Sequence, residues 1–210
     1  MINVIIADDH PIVRAGLKQI ITEDPDITVA GEASNGAELL KRVRSQDYNV
    51  ILLDLTMPGM DGLDVLKQLK IEKPQIPVII LTIHPESQYA LRILKAGASG
   101  YLTKESASDE LIRAIRKVNN GGKYISTSLA EKIAFALDQD AGRLPHEALS
   151  DREYQVLCLI GAGKTVSQIA DALALSVKTV STYRARILEK MQMENNAELI
   201  HYAIQNGLVA

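Results

Sequence analysis

No apolar run in the chain approaches the ~18 residues needed to span a bilayer. The opening residues, Met1-Ile2-Asn3-Val4, have neither the basic start nor the cleavage site of a signal peptide, so a cytoplasmic protein with no membrane partner is expected. There is a single cysteine, Cys158, which excludes an intrachain disulfide. It lies within an apolar helical pattern, where a buried thiol is expected rather than a nucleophile. Low-complexity tracts and blocks of like charge are also absent. With 47% hydrophobic and 23% charged residues, the chain should fold throughout. There is no excess of basic charge, with 23 Lys/Arg against 26 Asp/Glu, and the net charge of −3 argues weakly against nucleic acid until it is divided along the chain. Residues 1–120 carry 14 Lys/Arg against 16 Asp/Glu, whereas 164–190 carry Lys164, Lys178, Arg184, Arg186 and Lys190 against Asp171 and Glu189. An acidic half precedes a locally basic stretch.

What the chain does have is two kinds of pattern in succession. A length of 210 residues suits two domains of ~100 to 150 residues or less. In the first half, Val4–Ala7, Ile27–Ala30, Val50–Leu53, Val78–Leu81 and Gly100–Leu102 read as short buried strands. Between and after them the apolar residues take helical spacing: Val13-Leu17-Ile20-Ile21, Leu39-Leu40-Val43, Leu63-Leu66-Leu69, Ala90-Ile93-Leu94 and Leu111-Ile112-Ile115. Strict alternation predicts an α/β doubly wound, five-stranded parallel sheet with helices on both faces over residues 1–120. Residues 121–145 read as a linker, with a helix from Ser128 to Leu137 and a polar stretch before Pro145. From 146 to 210 only helical signals remain, which predicts a small all-α domain. Its first helix is announced by Ser150 as N-cap, Glu153 completing a capping box, and Leu149 placed to staple on Tyr154.

In an open α/β sheet ligands bind beyond the carboxyl ends of the strands. Asp8 and Asp9 follow the first strand, Asp54 the third and Thr82 the fourth, while Lys104 lies two residues past Leu102 on the fifth. Each has an ordinary alternative; Asp9, for instance, could simply cap the helix that begins near Pro11. As a set they are harder to dismiss, because clustered carboxylates repel one another and call for a cation. Oxygen ligands without cysteine select a hard ion, magnesium in preference to zinc, and His10 and His84 read as surface or loop residues. A carboxylate beside magnesium and a lysine is suited to accept a phosphoryl group. Asp54, on the central strand with Thr56, Pro58 and Gly59 opening the loop after it, is the expected nucleophile. Thr82 is then placed to hydrogen-bond a phosphoryl oxygen.

The second domain carries its own signature. Thr165 can cap a short helix, Val166 to Leu173, with Gln168 closing a capping box, and Ser176 can cap a second, Val177 to Met191. A helix, a turn of about four residues and a second helix is the arrangement that sets the second helix in the major groove. Small Ala170, ten residues before Val180, allows the two to approach closely. If Val180, Tyr183, Ile187, Leu188 and Met191 face inward, then Lys178, Ser181, Thr182, Ala185 and Arg186 face out. Such a face suits bases and phosphates, whereas a plain helical bundle is the alternative. Arg184 and Lys190 are either contacts to flanking backbone or solvated surface charges.

Asp8-Asp9, Asp54-Leu-Thr-Met-Pro-Gly-Met-Asp-Gly62, Leu81-Thr82, Ala96-Gly97-Ala98 and Lys104 together resemble the receiver domain of response regulators. Leu149-Ser-Asp-Arg-Glu153, Ile169-Ala170, Lys178-Thr-Val180 and Ile187-Leu-Glu-Lys190 resemble the LuxR-type helix-turn-helix. In this order the two are similar to the NarL/FixJ class of two-component response regulators. The resemblance implies that Asp54 is the phosphoacceptor, with Thr82 and Lys104 assisting. It also implies that Asp9, Asp54 and the backbone carbonyl of Thr56 bind magnesium directly and Asp8 mostly through water. Thr82 and Tyr101 match the switch pair. Lys164, Thr165, Lys178, Thr179, Ser181, Thr182, Ala185 and Arg186 are the candidate DNA contacts. The implied partners are a sensor histidine kinase, double-stranded DNA and a second copy of the chain on DNA. In that class a final helix, here Ala197 to Asn206, carries dimer contacts, so Leu199, Ile200 and Ala203 are candidates, with core packing as the alternative. One departure is Glu105, which stands where many receivers have proline. The protein is expected to be no enzyme beyond assisting its own phosphorylation and dephosphorylation. A phosphatase-like hydrolase would need Asp-x-Asp after the first strand, and a phosphate-independent regulator would not need the intact acid set.

Overall fold

A computed structural model of the chain describes residues 1–82, 88–127, 129–131 and 144–209. It divides into two compact units, residues 1–134 and 135–210. The first alternates β1 (Ile2–Ala7), α1 (Pro11–Thr22), β2 (Ile27–Ala33), α2 (Gly36–Ser45), β3 (Val50–Asp54), α3 (Gly62–Glu72), β4 (Val78–Thr82), α4 (Gln88–Lys95), β5 (Gly100–Thr103) and α5 (Ala107–Asn119). All strands pair in parallel, in the order β2-β1-β3-β4-β5. The chain moves outward from β1 to β2, then reverses to β3, so the topological switch point falls between β1 and β3.

Every residue of β3 and β4 is buried, as central strands covered on both sides must be. Side chains alternate between the faces. Val4, Ile6, Val50, Leu52, Ile79 and Leu81 form a core with Leu17 and Ile21 of α1 and Leu111, Ile115 and Val118 of α5. By the same alternation Ile5, Ile51, Leu53, Ile80 and Tyr101 face the opposite layer. Each strand except β1 runs further toward its carboxyl end than its apolar run. In β2, pairing continues through Gly31 and Glu32 to Ala33, and the register with β1 shifts between Val4 and Ile5, leaving Ala30 as a bulge. Beyond α5 the chain returns to the sheet. The Tyr124 backbone donates to Ser99 O and accepts from Tyr101 N at 2.9 and 3.0 Å, covering polar groups that edge strand β5 would otherwise expose. Of the helix expected from Ser128 to Leu137, residues 127 and 129–131 are helical with Leu129 buried, and 128 and 132–137 lie outside the described residues. The polar stretch 138–143 and His84 also lie outside them.

The second unit begins with a 3-10 turn, Pro145–Ala148, followed by α6 (Asp151–Gly161), α7 (Val166–Ala172), α8 (Val177–Met191) and α9 (Asn196–Gln205). Both capping boxes form, at Ser150/Glu153 and Thr165/Gln168, and the Ser176 side chain accepts from Thr179 N. Each N-cap of this kind contributes about 1 kcal/mol. α6 is the packing hub, set against both α8 and α9. Tyr154, Leu157, Ile160, Ile169, Ala170, Val180, Ile187, Leu199 and Ala203 form the core, and Leu149 is buried beside it. His146, in the 3-10 turn, is buried with its Nδ1 2.7 Å from the Tyr202 hydroxyl of α9. Cys158 is half-buried rather than enclosed, because it lies on the flank of α6 and not on the Tyr154-Leu157-Ile160 stripe.

Candidate functional site

The strand register brings the acidic residues to one level. Ala7 pairs with Leu53, Asp54 with Leu81, and Thr82 with Thr103, so the β1, β3, β4 and β5 ends open on the same edge. Asp8 and Asp54 are buried at this edge. Lys104, whose backbone N–H donates to Thr82 O, sends its Nζ between them, 2.7 Å from Asp8 Oδ2 and 2.8 Å from Asp54 Oδ2. Among the described residues no peptide is cis, and Lys104 reaches Asp54 with Glu105 following it in place of proline. Asp54 Oδ1 accepts from Thr56 N at 3.2 Å. Burial pushes the Asp54 carboxyl above its usual range, and the Asp8 charge adds to this against the pull of Lys104 and the Thr56 N–H. Burial alone would lower the Lys104 ammonium, but its bonds to Asp54 and Asp8 hold it above its ordinary value.

Asp9 does not cap α1. The N-cap is His10, which makes no side-chain cap bond, so the ordinary role available to Asp9 is not the one it takes. Asp8, Asp9, His10 and Asp54 each offer a ligand atom, all within 4.8 Å of one another. His10 is mostly exposed, its Nδ1 2.8 Å from Asp9 Oδ1. That oxygen and Asp8 Oδ2 are buried, and apart from the ion-pair contacts to His10 and Lys104 neither accepts a hydrogen bond among the described residues, which suits a small hard cation. The donor set therefore fits a divalent ion held by oxygen.

Thr82 and Tyr101 are both buried, Tyr101 to 1% exposure. Tyr101, the residue matched with Thr82 as a switch pair, is thus already enclosed. Its strand position opposite Ile80 directs it into the layer between sheet and helices.

In the second unit, Lys164, Thr165, Lys178, Ser181, Thr182, Ala185 and Arg186 are exposed and Thr179 is half-buried. The Ser181 and Thr182 hydroxyls donate to Val177 O and Lys178 O, and Thr179 Oγ1 pairs with Ser176 Oγ. Arg184 and Lys190 are engaged within the domain. The Arg184 Nε donates to Asn196 Oδ1, and Lys190 Nζ lies 2.6 Å from Glu153 Oε2, so neither is a freely solvated charge. Tyr183 and Leu188 are half-buried, whereas Val180, Ile187 and Met191 are fully inside. Leu199 and Ala203 belong to the core, which removes them as dimer contacts. Ile200 is half-buried and Ile204 is 62% exposed on the outward side of α9. Val177, 51% exposed at the start of α8, escapes a reading confined to polar residues, although an apolar residue directly after an N-cap was the signal. Arg14, whose Nη1 donates to Asp8 O at 2.7 Å, also escapes it, being one helical turn past the acids.

Residues 4–116 match the response regulator receiver domain, and residues 147–203 match the luxR family of bacterial regulatory proteins. Response regulator UvrY of Escherichia coli (strain K12) is 38% identical over 209 residues, covering 99% of this chain and 96% of the relative. Response regulator GacA of Pseudomonas protegens is 39% identical over 209 residues, covering 100% of this chain and 98% of the relative. RcsB from Salmonella enterica serovar Typhimurium, solved bound to promoter rprA in the presence of phosphomimetic BeF3-, superposes with a TM-score of 0.65. It is 29% identical, with 96% of this chain and 97% of that one covered.

Proposed function

The chain belongs to the NarL/FixJ class of two-component response regulators, transcription regulators that join a receiver to a LuxR-type DNA-binding domain, and from that premise we propose that Asp54 is its phosphoacceptor. The observation that carries this reading is a buried carboxylate at the end of a central strand, 2.8 Å from a lysine and beside two further acids. A sensor histidine kinase presents phosphohistidine. An Asp54 oxygen attacks phosphorus, the N–P bond breaks as the O–P bond forms, and the imidazole leaves with its proton. Lys104 neutralises charge on the transferring oxygens. Asp9, Asp54 and the Thr56 carbonyl directly, and Asp8 mostly through water, would hold magnesium, which would supply further neutralisation of the phosphoryl oxygens. On this reading the phosphoryl group rests on Asp54 as a signal and the chain turns over no small phosphomonoester; turnover of one would overturn it. Incubation with acetyl phosphate and magnesium should add one phosphoryl mass, localised to Asp54.

Asp9→Ala is expected to lose labelling and its magnesium dependence together. Labelling of the variant with wild-type kinetics, or wild-type labelling undiminished by EDTA, would show that no cation acts through Asp9.

Thr82 links the pocket to the rest of the receiver. Its hydroxyl gains a phosphoryl oxygen as partner, which draws the end of β4 toward Asp54. With Tyr101 already enclosed, phosphate biases an arrangement that exists without it, by a coupling of about 1 to 3 kcal/mol. Thr82→Ala should therefore still be labelled on Asp54 but gain much less DNA affinity. A full gain would send the signal out through another loop.

In the cytoplasm, two copies bind DNA, each setting α8 in the major groove. Lys164, Lys178 and Arg186 meet phosphates, while Thr179, Ser181, Thr182 and Ala185 approach bases and sugar-phosphate edges. Because Leu199 and Ala203 are committed to the core, the outward Ile200 and Ile204 of α9 carry the pairing.

A further inference from the structure

We propose that Arg14 is a positioning residue for the acidic pocket: anchored by Glu32, it fixes the Asp8–Asp9 peptide in the orientation that presents Asp9 to the cation. The inference rests on the cation reading of that pocket. Arg14 lies in the first turn of α1 with its side chain 16% exposed. Its Nη1 donates to Asp8 O at 2.7 Å, and its Nε donates to Glu32 Oε2 at 3.2 Å. Lys18, one turn further along α1, reaches Glu32 Oε1 at 2.6 Å. Lys18 and Arg14 together hold the Glu32 carboxyl below its usual range.

The bulge in β2 is what makes this possible. Val29 pairs with Val4, and Val4 lies in the core toward α1. By simple alternation Glu32, three residues on, would point to the opposite layer. The extra residue at Ala30 resets the alternation, so that Glu32 pairs with Ile6, which also faces α1. Gly31 is turned the other way, where an added Cβ would meet the Tyr48 hydroxyl at 2.6 Å. The bulge thus aims one carboxylate at the helix that needs it.

Other bonds already hold Asp8. Its N–H donates to Ala33 O, its Oδ1 accepts from His10 N, and its Oδ2 meets Lys104. The carbonyl is the remaining degree of freedom, and a planar peptide passes its orientation directly to Asp9 N and Cα. Without Arg14 the Asp8–Asp9 plane is free to turn, and Asp9 loses its fixed direction. A lysine is a poorer substitute, since Arg14 meets the carboxylate and the carbonyl from two nitrogens of one rigid fork and an ammonium has a single nitrogen on a flexible stem.

Magnesium chloride titrated calorimetrically into the full chain, without phosphodonor, tests this. Arg14→Ala should weaken the affinity by about 10-fold or more, the range for partners that orient a metal ligand. Glu32→Ala should weaken it in the same direction, and Arg14→Lys should not restore it. Labelling by acetyl phosphate at saturating magnesium should reach the wild-type extent in Arg14→Ala, because only the cation's seat is loosened. Melting in EDTA reports folding separately, and Glu32→Ala carries the test if Arg14→Ala does not fold. Wild-type affinity in both alanine variants, or full rescue by Arg14→Lys, would overturn the positioning role. Absence of magnesium binding in wild type itself would overturn the cation reading along with it.

Discussion

Asp54→Ala is expected to show no phosphoryl gain with acetyl phosphate and magnesium, and no phosphorylation-dependent rise in DNA affinity. No other carboxylate in the pocket ends a central strand; Asp8 and Asp9 lie past the end of β1, and Asp8 is held on both oxygens by His10 N and Lys104. The affinity gain that disappears is about 5- to 150-fold, the span of ordinary coupling free energies. Melting without metal separates this loss from unfolding. Burial holds the Asp54 carboxyl above its usual range, so ionising it opposes folding as pH rises past the unfolded value. Tm of the variant at pH 7 should therefore be no lower than that of wild type. Retained labelling would move the nucleophile to Asp8 or Asp9.

DNA binding should weaken about a thousand-fold between 50 and 200 mM salt. Lys164, Lys178 and Arg186 are exposed, which gives a dimer roughly six phosphate contacts and a slope of log affinity against log salt near −5, at ~0.9 each. Arg184 and Lys190 are excluded because Asn196 and Glu153 hold them. Arg186→Ala should reduce the slope by about 2 in a dimer, whereas Arg184→Ala should leave it unchanged. A slope near −2 in wild type, or tight binding to an isolated half-site, would mean that fewer cations or a single copy suffice.

The sheet and its acidic edge were legible because each signal was local. Short Val/Ile runs marked the strands, and the acids stood directly behind them. The helix starts of the second domain were legible for the same reason, since Ser150-x-x-Glu153 and Thr165-x-x-Gln168 spell out their own hydrogen bonds. Features that depend on distant partners were not. The bulge at Ala30 exists only in the register with β1, and Tyr124 pairs with β5 through backbone alone. Lys190 looks like any surface lysine until α8 is laid on α6 beside Glu153, 37 residues earlier. Leu199 and Ala203 could be assigned to core or surface only once α9 had a neighbour.

That neighbour approaches at Gly161. A Cβ built there would stand 2.6 Å from the Ala203 Cβ and 3.0 Å from the Val209 Cγ1, so the last turn of α6 meets α9 across the Ala203 methyl with no room for a second one. The α8 side of the domain does not pass through this contact, being seated by Val180 and Ile187. A single methyl at 161 would act as a spacer that tilts α9 and its outward Ile204 while the base-facing surface of α8 keeps its seat. Cooperativity between two copies on adjacent half-sites could then be tuned without rewriting which bases either copy prefers.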